Sequence, residues 1–441
     1  MTGRTLVTNS HCTSLALTRP ALTRLAALSS LCFTPMHSFS SPWLEATDPF
    51  LRSDVVLLSD AGLFNSSVNH YPLRWATIGD YLSGSTNNNI ELERPKAHVG
   101  YALNSAKYQR GNRAAKVILG SHDPELNSFG EFNQKKWGAY ASYESLEDSF
   151  AFRVSTGYAN QASESQFVWD DSYLSLNAGK WLLSFGDLDR WWGQGWQHNL
   201  ILGSNSASSP DLSISYISSN DYLGGWSVES IIGFTDDSTY ERHNASRFTL
   251  KPSRWLDIGI TYQAWFDGAN LGGGEQQSAL DLKFSLPEMN GMYHSVYTEL
   301  ASTSDITKLG AYLYGWTGQL DLFDQTWRLV LEKQNSTKGK LDSGDSHWQR
   351  NNYPSSHNNQ MRSTYTLDSS VSAALYIQLE NDHKLSLVVR DSKQDQERSS
   401  TGQLSYRLPA LAGMVHVGAG YSQNDERESQ TSFWTGYEFR F

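Results

Sequence analysis

A two-residue alternation of apolar and polar side chains runs from about Arg113 to the last residue of the chain. Between Trp255 and Trp265, for example, even-numbered positions are apolar, and the odd-numbered positions between them are polar or glycine. Successive side chains of a β-strand point to opposite faces, so this period predicts strands with one apolar and one polar face. Comparable segments follow at 373–380, 384–390, 403–408 and 415–420. We count 17 to 19 such segments, most about 8 to 12 residues long, the length that a tilted strand needs to cross a bilayer.

The connections between these segments are of two kinds. Asn381-Asp382 and Pro409–Leu411 mark tight turns, whereas 203–210, 267–277 and 338–360 are long, polar and rich in Gly, Ser and Asn. Short turns on one side and long loops on the other are typical of outer-membrane barrels.

The last strand gives the strongest local signal. One of its faces carries Phe433, Thr435, Tyr437, Phe439 and Phe441. An aromatic residue that ends an alternating strand is a feature that the barrel assembly machinery commonly recognises, so we expect that machinery as a partner of Phe441. A soluble β-sandwich or propeller with half-buried strands is the alternative. We favour a closed transmembrane antiparallel β-barrel of about 18 strands, in contact with outer-membrane lipid and monomeric.

Residues 1–40 resemble a secretory signal peptide. Arg19 and Arg24 precede a modest apolar run from Leu25 to Phe33, and Ser38 and Ser40 suit cleavage after Ser40. A disordered tail is the alternative interpretation. Both cysteines of the chain, Cys12 and Cys32, lie in this leader, so the exported part would have neither disulfides nor cysteine–metal sites.

Residues 41–110 have a helical rather than a strand period. Asp48 is a suitable N-cap and Pro49 suits the first helical position, while Gly62 is placed to end that helix. Further helices are expected from near Pro72 and from Pro95 onward. The sequence therefore predicts three regions: a signal peptide at 1–40, a small periplasmic α-helical bundle at 41–110 and an outer-membrane barrel at 111–441.

Charge and motifs exclude several functions. The formal net charge is −11 and basic residues are not clustered, which disfavours nucleic acid as a partner. No stretch of about 18 apolar residues predicts a membrane-spanning helix. Hydrolase elbows, phosphate-binding loops and dinucleotide fingerprints are missing from the sequence, as is any His-x-x-x-His spacing for zinc. We therefore expect no enzyme activity, cofactor or metal site.

The most unusual segment is Asp187–Pro210, in which three tryptophans fall within six residues. Sugars bind on exposed aromatic faces while carboxylates, amides and guanidinium groups take their hydroxyls. The candidate polysaccharide-binding residues are Asp187, Asp189, Arg190, Trp191, Trp192, Trp196, His198 and Asn205. Two structural alternatives remain open: the tryptophans could form an interface belt or fill the lumen, and the two aspartates could pair with Arg190 or another lumen arginine.

This segment resembles the R-W-W-G-P-G-W and L-I-L-S-x-N-A-x-P motifs of the Wzi family of capsule assembly proteins. The matching positions are Arg190, Trp191, Trp192, Gly193, Gly195, Trp196, Leu200, Ile201, Leu202, Asn205, Ala207 and Pro210. The opening of the exported chain is also similar to the helical preamble of that family, at Pro42-Trp43, Asp48-Pro49, Leu51-Arg52, Leu57-Leu58, Ala61-Gly62 and Tyr71–Trp75. Three positions depart from the family pattern, namely Gln194, Gly203 and Ser208.

The resemblance implies an outer-membrane barrel of 18 strands with a periplasmic helical bundle. It also implies a lectin that holds capsular polysaccharide or exopolysaccharide on the cell surface. Ser208 stands where the family commonly has a basic residue, so it offers no cation to an acidic sugar. A porin-like or sugar-selective channel is the alternative function, and an outer-membrane lipid hydrolase with a Ser–His pair is a third.

Overall fold

The computed structural model describes residues 42–84, 90–126, 128–147, 149–161, 164–203, 210–234, 241–266, 275–337, 364–394 and 397–441. The predicted signal peptide lies outside this range. Eighteen antiparallel strands of the described residues form a closed barrel, which confirms the predicted architecture. They are β1 Arg113–Gly120, β2 Trp137–Leu146, β3 Phe150–Gln161, β4 Glu164–Val168 with Tyr173–Ala178, β5 Trp181–Gly186, β6 Asp211–Asn220, β7 Gly224–Phe234, β8 Arg242–Ser253, β9 Leu256–Phe266, β10 Glu275–Ser285, β11 Tyr293–Ser302, β12 Leu309–Leu322, β13 Gln325–Ser336, β14 Ser369–Gln378, β15 Lys384–Gln394, β16 Glu397–Ala410, β17 Gly413–Asn424 and β18 Ser429–Arg440. Strand β4 is counted once because both of its parts pair with β3.

The barrel is apolar outside and polar inside. In β9, Asp257, Thr261 and Gln263 are buried towards the lumen, while Ile260 and Tyr262 are exposed on the outer wall. This is the arrangement that the two-residue period predicts for a strand between lipid and a polar interior. The last strand, β18, pairs with β1 and closes the barrel.

The described residues of the predicted helical region form three helices, α1 Pro49–Asp60, α2 Trp75–Gly84 and α3 Ile90–Lys107. The Asp48 carboxylate accepts hydrogen bonds from the amides of Phe50 (2.9 Å) and Leu51 (3.3 Å), so the predicted N-cap is confirmed. The second helix begins near Pro72 as predicted, at Trp75. The predicted start of the third helix at Pro95 is wrong, because α3 begins five residues earlier and contains Pro95. None of the described helices has the length and apolar character needed to cross a membrane.

Helix α1 lies inside the barrel, with all twelve of its residues buried. The wall binds both of its ends. At the first turn, Arg407 donates to the Asp48 carboxylate at 2.9 Å. At the last turn, Lys251 donates to the Ser59 carbonyl at 2.9 Å. The polar inner wall therefore fixes the helix. Its cations bind the Asp48 carboxylate and the Ser59 carbonyl, and so replace the water that these groups lose on burial.

The two ends of the barrel differ. One end carries turns of two to seven residues, and the three longest connections, 121–136, 187–210 and 337–368, lie at the other end. Helix α3 closes the turn end, where Arg94 donates to the carbonyls of Asp324 (2.6 Å) and Leu379 (3.0 Å). In outer-membrane barrels the short turns face the periplasm. Two statements stay predictions: the periplasmic position of the helices and the region boundaries at 40 and 110. Helix α1 itself extends into the lumen.

Candidate functional site

The tryptophan-rich segment leaves the end of β5 and folds into the lumen, where it meets the N-terminal region. Trp191 and Trp192 pair with Tyr71 and His70 in a two-residue antiparallel ladder. We call residues 187–202 the plug. Trp191, Trp192 and Trp196 are no more than 1% exposed, so their ring faces pack against protein. Of the alternatives that the sequence left open, the structure favours lumen filling.

Glycine allows the plug to turn inside this space. Gly193 has a φ of 137°, a conformation that residues with a side chain rarely adopt. A Cβ atom on Gly195 would lie 2.0 Å from the carbonyl oxygen of His198. The conformation of the plug therefore requires glycine at both positions of the motif for steric reasons.

One buried carboxylate of the wall, that of Glu332 on β13, binds the tip of the plug. It accepts the backbone amides of Trp196 (2.5 Å), Gln197 (3.0 Å) and His198 (2.9 Å). It also accepts Nδ1–H of His198 at 2.8 Å and the hydroxyl of Tyr297 at 2.6 Å. Five donors satisfy this carboxylate, which explains how a charge can be fully buried here.

Two further wall carboxylates, on β11 and β10, also bind the plug. We call these two and Glu332 the clamp. Glu299 on β11 accepts the amide of Gly195 at 2.8 Å. Asp281 on β10 accepts the side-chain amide of Gln194 at 3.0 Å. Gln194 is the position that departs from the family's proline, and here its side chain provides one of the bonds that hold the plug.

Arg52 of α1 binds the same part of the plug. It donates to the carbonyls of Gly195 (2.9 Å) and Gln194 (3.0 Å). Its guanidinium lies 4.4 Å from the ring centre of Trp196 and 4.3 Å from that of Phe129. Cation–π contacts of this kind strengthen when they are removed from water, as they are here.

His198 is fully buried and belongs to this network. Its Nδ1 faces Glu332, and its Nε2 lies 2.8 Å from the hydroxyl of Ser370. Burial lowers the pKa of His198, and the nearby Arg390 charge lowers it further against the opposing effect of Glu332. The neutral ring therefore donates to Glu332 and accepts from Ser370.

A serine, a histidine and a carboxylate in this order form the arrangement that many hydrolases use. However, Ser370 is only 2% exposed, and Glu332 is already committed to the plug amides. A nucleophile has to reach its substrate, so the arrangement fits an anchor for the plug better than a catalytic triad.

The remaining candidate residues fall into three groups. Arg190 forms a bidentate ion pair with Asp211, whose second bond measures 2.9 Å, and donates from Nε to Glu229 at 3.2 Å. Asp187 and Asp189 are half-buried. Asn205 lies outside the described residues. Whether any of these groups contacts a sugar stays a prediction.

The sequence did not predict a cavity at the loop end of the lumen. It has a volume of about 500 Å³ and lies between the plug and the inner faces of β15–β18. Its lining residues are Glu125, Thr364, Leu367, Arg390, Ser392, Gln394, Ser399, Thr401, Ser422, Asn424, Glu428, Ser429 and Gln430. The only sequence signal for it is the run of short polar residues at inward positions of these strands.

Within the described ranges, no three His, Cys, Asp or Glu side chains are grouped to hold a metal ion.

A family model described as capsule assembly protein Wzi matches residues 107–287, which include the plug. The structure of Wzi from Escherichia coli matches with a TM-score of 0.78 at 16% identity, over 90% of this chain and 99% of that chain. The chain is therefore similar to the Wzi family in sequence over residues 107–287 and to the E. coli Wzi structure in fold. The E. coli protein is described as an outer membrane protein involved in group 1 capsule assembly and as a carbohydrate-binding β-barrel. The barrel fold that the sequence predicted is thereby confirmed.

Two other proteins also match this chain. A Klebsiella pneumoniae relative, described as an uncharacterized 55.8 kDa protein in the cps region, is 23% identical over 338 residues. The alignment covers 67% of this chain and 64% of the relative, so the chain spans slightly less than two thirds of that protein's length. OccK3 of Pseudomonas aeruginosa matches with a TM-score of 0.48 and 9% identity, over 75% of this chain and 94% of that one.

Proposed function

We propose that this barrel is a lectin-like protein that attaches exported capsular polysaccharide or exopolysaccharide at the cell surface. The observation that carries the proposal is the filling of the lumen. The plug and α1 meet inside the barrel, and a polar cavity of about 500 Å³ lies at the loop end. Such an interior suits a ligand held from outside better than a solute passing through.

The channel alternative requires a continuous path of water through the barrel. Arg52 joins α1 to the plug inside the lumen. Charged residues of the wall fix both segments, and such contacts are strong in a site that excludes water. We therefore expect the barrel not to conduct steadily.

The enzyme alternative rests on Ser370, His198 and Glu332. Their burial supports a structural role, and the proposal is that the protein is a binding protein and not a hydrolase. Weak contacts repeated along a polymer are sufficient for attachment, because many simultaneous contacts multiply modest affinities.

Deletion of the gene tests the proposal. We expect polysaccharide to move from the cell-bound to the shed fraction, with total production unchanged, and wild-type protein to restore the cell-bound fraction. An unchanged distribution in the deletion strain would refute the attachment function. Purified protein that opens large, steady conductances in planar bilayers would instead favour the channel.

A further inference from the structure

The cavity at the loop end has a closed floor and an open rim. Its floor is formed by Thr364, Leu367 and Arg390, which are 4%, 5% and 8% exposed. Exposed residues, among them Glu125, Glu428 and Gln430, form the rim. A molecule can therefore enter from the loop end and stop at this floor. The volume of about 500 Å³ lies within the range of about 300 to 1,000 Å³ that is usual for small-ligand sites.

Hydroxyl and amide groups dominate the walls. Ser392 pairs across the sheet with Ser399, and Ser422 pairs with both Thr401 and Gln430, so their inward side chains form one continuous patch. Each hydroxyl can donate and accept, and each amide offers both kinds of group, which matches the hydroxyls of a sugar. The lining contains no aromatic ring, so the ligand would be held by hydrogen bonds rather than by ring stacking.

The floor also offers an unused donor. One Arg390 nitrogen, Nη2, donates to the Gln197 carbonyl of the plug. Its Nε is buried and finds no acceptor in the part of the chain that the structure describes. A buried donor without a partner loses free energy, and a ligand oxygen would recover it.

The charges of the lining select against acidic ligands. Glu125 and Glu428 stand at the rim, and Arg390 is the one cation of the lining. Glu125 accepts from the Ser422 hydroxyl at 2.6 Å, which orients its carboxylate at the wall of the cavity. Like charges brought together at a binding site lower affinity, and the whole chain carries a net charge of −11.

From these observations we propose that the cavity binds an uncharged saccharide unit of the exported polysaccharide. This inference depends on the proposed attachment function and adds a place and a chemical class to it. The short hydroxyl side chains contact the sugar, Arg390 meets it at the floor, and the rim carboxylates exclude uronic acids and other anionic sugars.

The test uses purified, folded full-length protein in detergent. The probes are polysaccharide purified from the producing cells, neutral dextran oligomers and acidic galacturonan oligomers. In Ser422→Trp, an indole fills the cavity, whereas Gln423→Trp places the same side chain on the outer face of the same strand. We expect Ser422→Trp to bind the cell polysaccharide at least about tenfold more weakly and Gln423→Trp to bind it like wild type. Gln394→Leu, which removes a polar group without adding bulk, should also weaken binding if Ser422→Trp does not fold.

The outcomes separate the two proposals. Wild-type protein that binds none of the probes refutes the attachment function and this inference together. Equal binding by wild type, Ser422→Trp and Gln394→Leu refutes the cavity alone. Competition by galacturonan and not by dextran refutes the neutral class. If the class is right, Glu428→Gln should relax the discrimination against galacturonan, and Glu426→Gln, outside the lining, should not.

Discussion

Replacement of Glu332 by alanine should release the plug and leave the barrel intact. Three consecutive amides, those of Trp196, Gln197 and His198, donate to this one carboxylate. A buried amide that loses its acceptor costs about 1 to 3 kcal/mol. Three of them together therefore cost at least about 3 kcal/mol at the lower limit, before the bonds from His198 Nδ1 and Tyr297 are considered.

This cost applies to local opening, since the β-ladder of β13 does not depend on its side chain. Amide hydrogen exchange measures local opening directly. A loss of about 3 kcal/mol corresponds to exchange about 100-fold faster at residues 196–198. Heat-modifiable mobility should remain, because it reports the barrel.

Glu144→Ala is the matched control. Glu144 is an inward carboxylate of β2 whose bonds go to Arg153 at 3.1 Å and to Tyr173, on β3 and β4. Its loss should leave exchange in the plug unchanged. If amide exchange at residues 196–198 is as slow in Glu332→Ala as in wild type, Glu332 does not hold the plug. Equal acceleration in both variants would mean that the whole barrel, and not the clamp, has been weakened.

Two further predictions concern the plug and its histidine. Gly195→Ala should disrupt the plug, since its Cβ would lie 2.0 Å from the His198 carbonyl, whereas Gly100→Ala, with nothing within 4 Å, should be neutral; plug amide exchange distinguishes them. Burial lowers the pKa of His198, so as pH falls below about 6.5 an opened plug takes up a proton that the closed plug does not. The free energy of plug opening, obtained from exchange rates corrected for the pH dependence of the intrinsic amide exchange rate, should therefore fall from pH 7 to pH 5, and fall less in His198→Gln. An equal fall in both proteins would assign the effect to other groups.

The strands could be predicted because their cause is local. Each strand of this barrel separates lipid from a polar interior. Its residues therefore alternate between apolar side chains that face outward and polar side chains that face inward. The N-cap at Asp48 is local for the same reason. The start of α3 was missed because Pro95 suggested a helix start, although the helix begins at Ile90 and continues through it.

The plug could not be predicted because its determinants are far apart in sequence. Glu332 lies 136 residues from Trp196, and nothing in β13 distinguishes it from a solvated lumen carboxylate. The tryptophan motif indicated a resemblance to the Wzi family, but its chemistry also suggested an exposed sugar platform. The difference lies in what covers the rings, and those residues come from α1, the 121–136 connection and the far wall.

The buried tryptophans explain how a barrel with a polar inner wall can be filled stably. Water can form almost as many hydrogen bonds with the hydroxyls, amides and charges of the wall as a plug can. Polar contacts alone therefore contribute little net free energy to holding a plug in the lumen. Trp191 and Trp196 pack with Tyr71, Phe129 and residues of α1 in one apolar cluster. Burial of such rings contributes free energy that water cannot replace, while the carboxylates fix the position of the backbone. The plug and the N-terminal region therefore form a hydrophobic core inside a barrel whose inner wall is polar, and the tryptophan motif serves to fill the lumen.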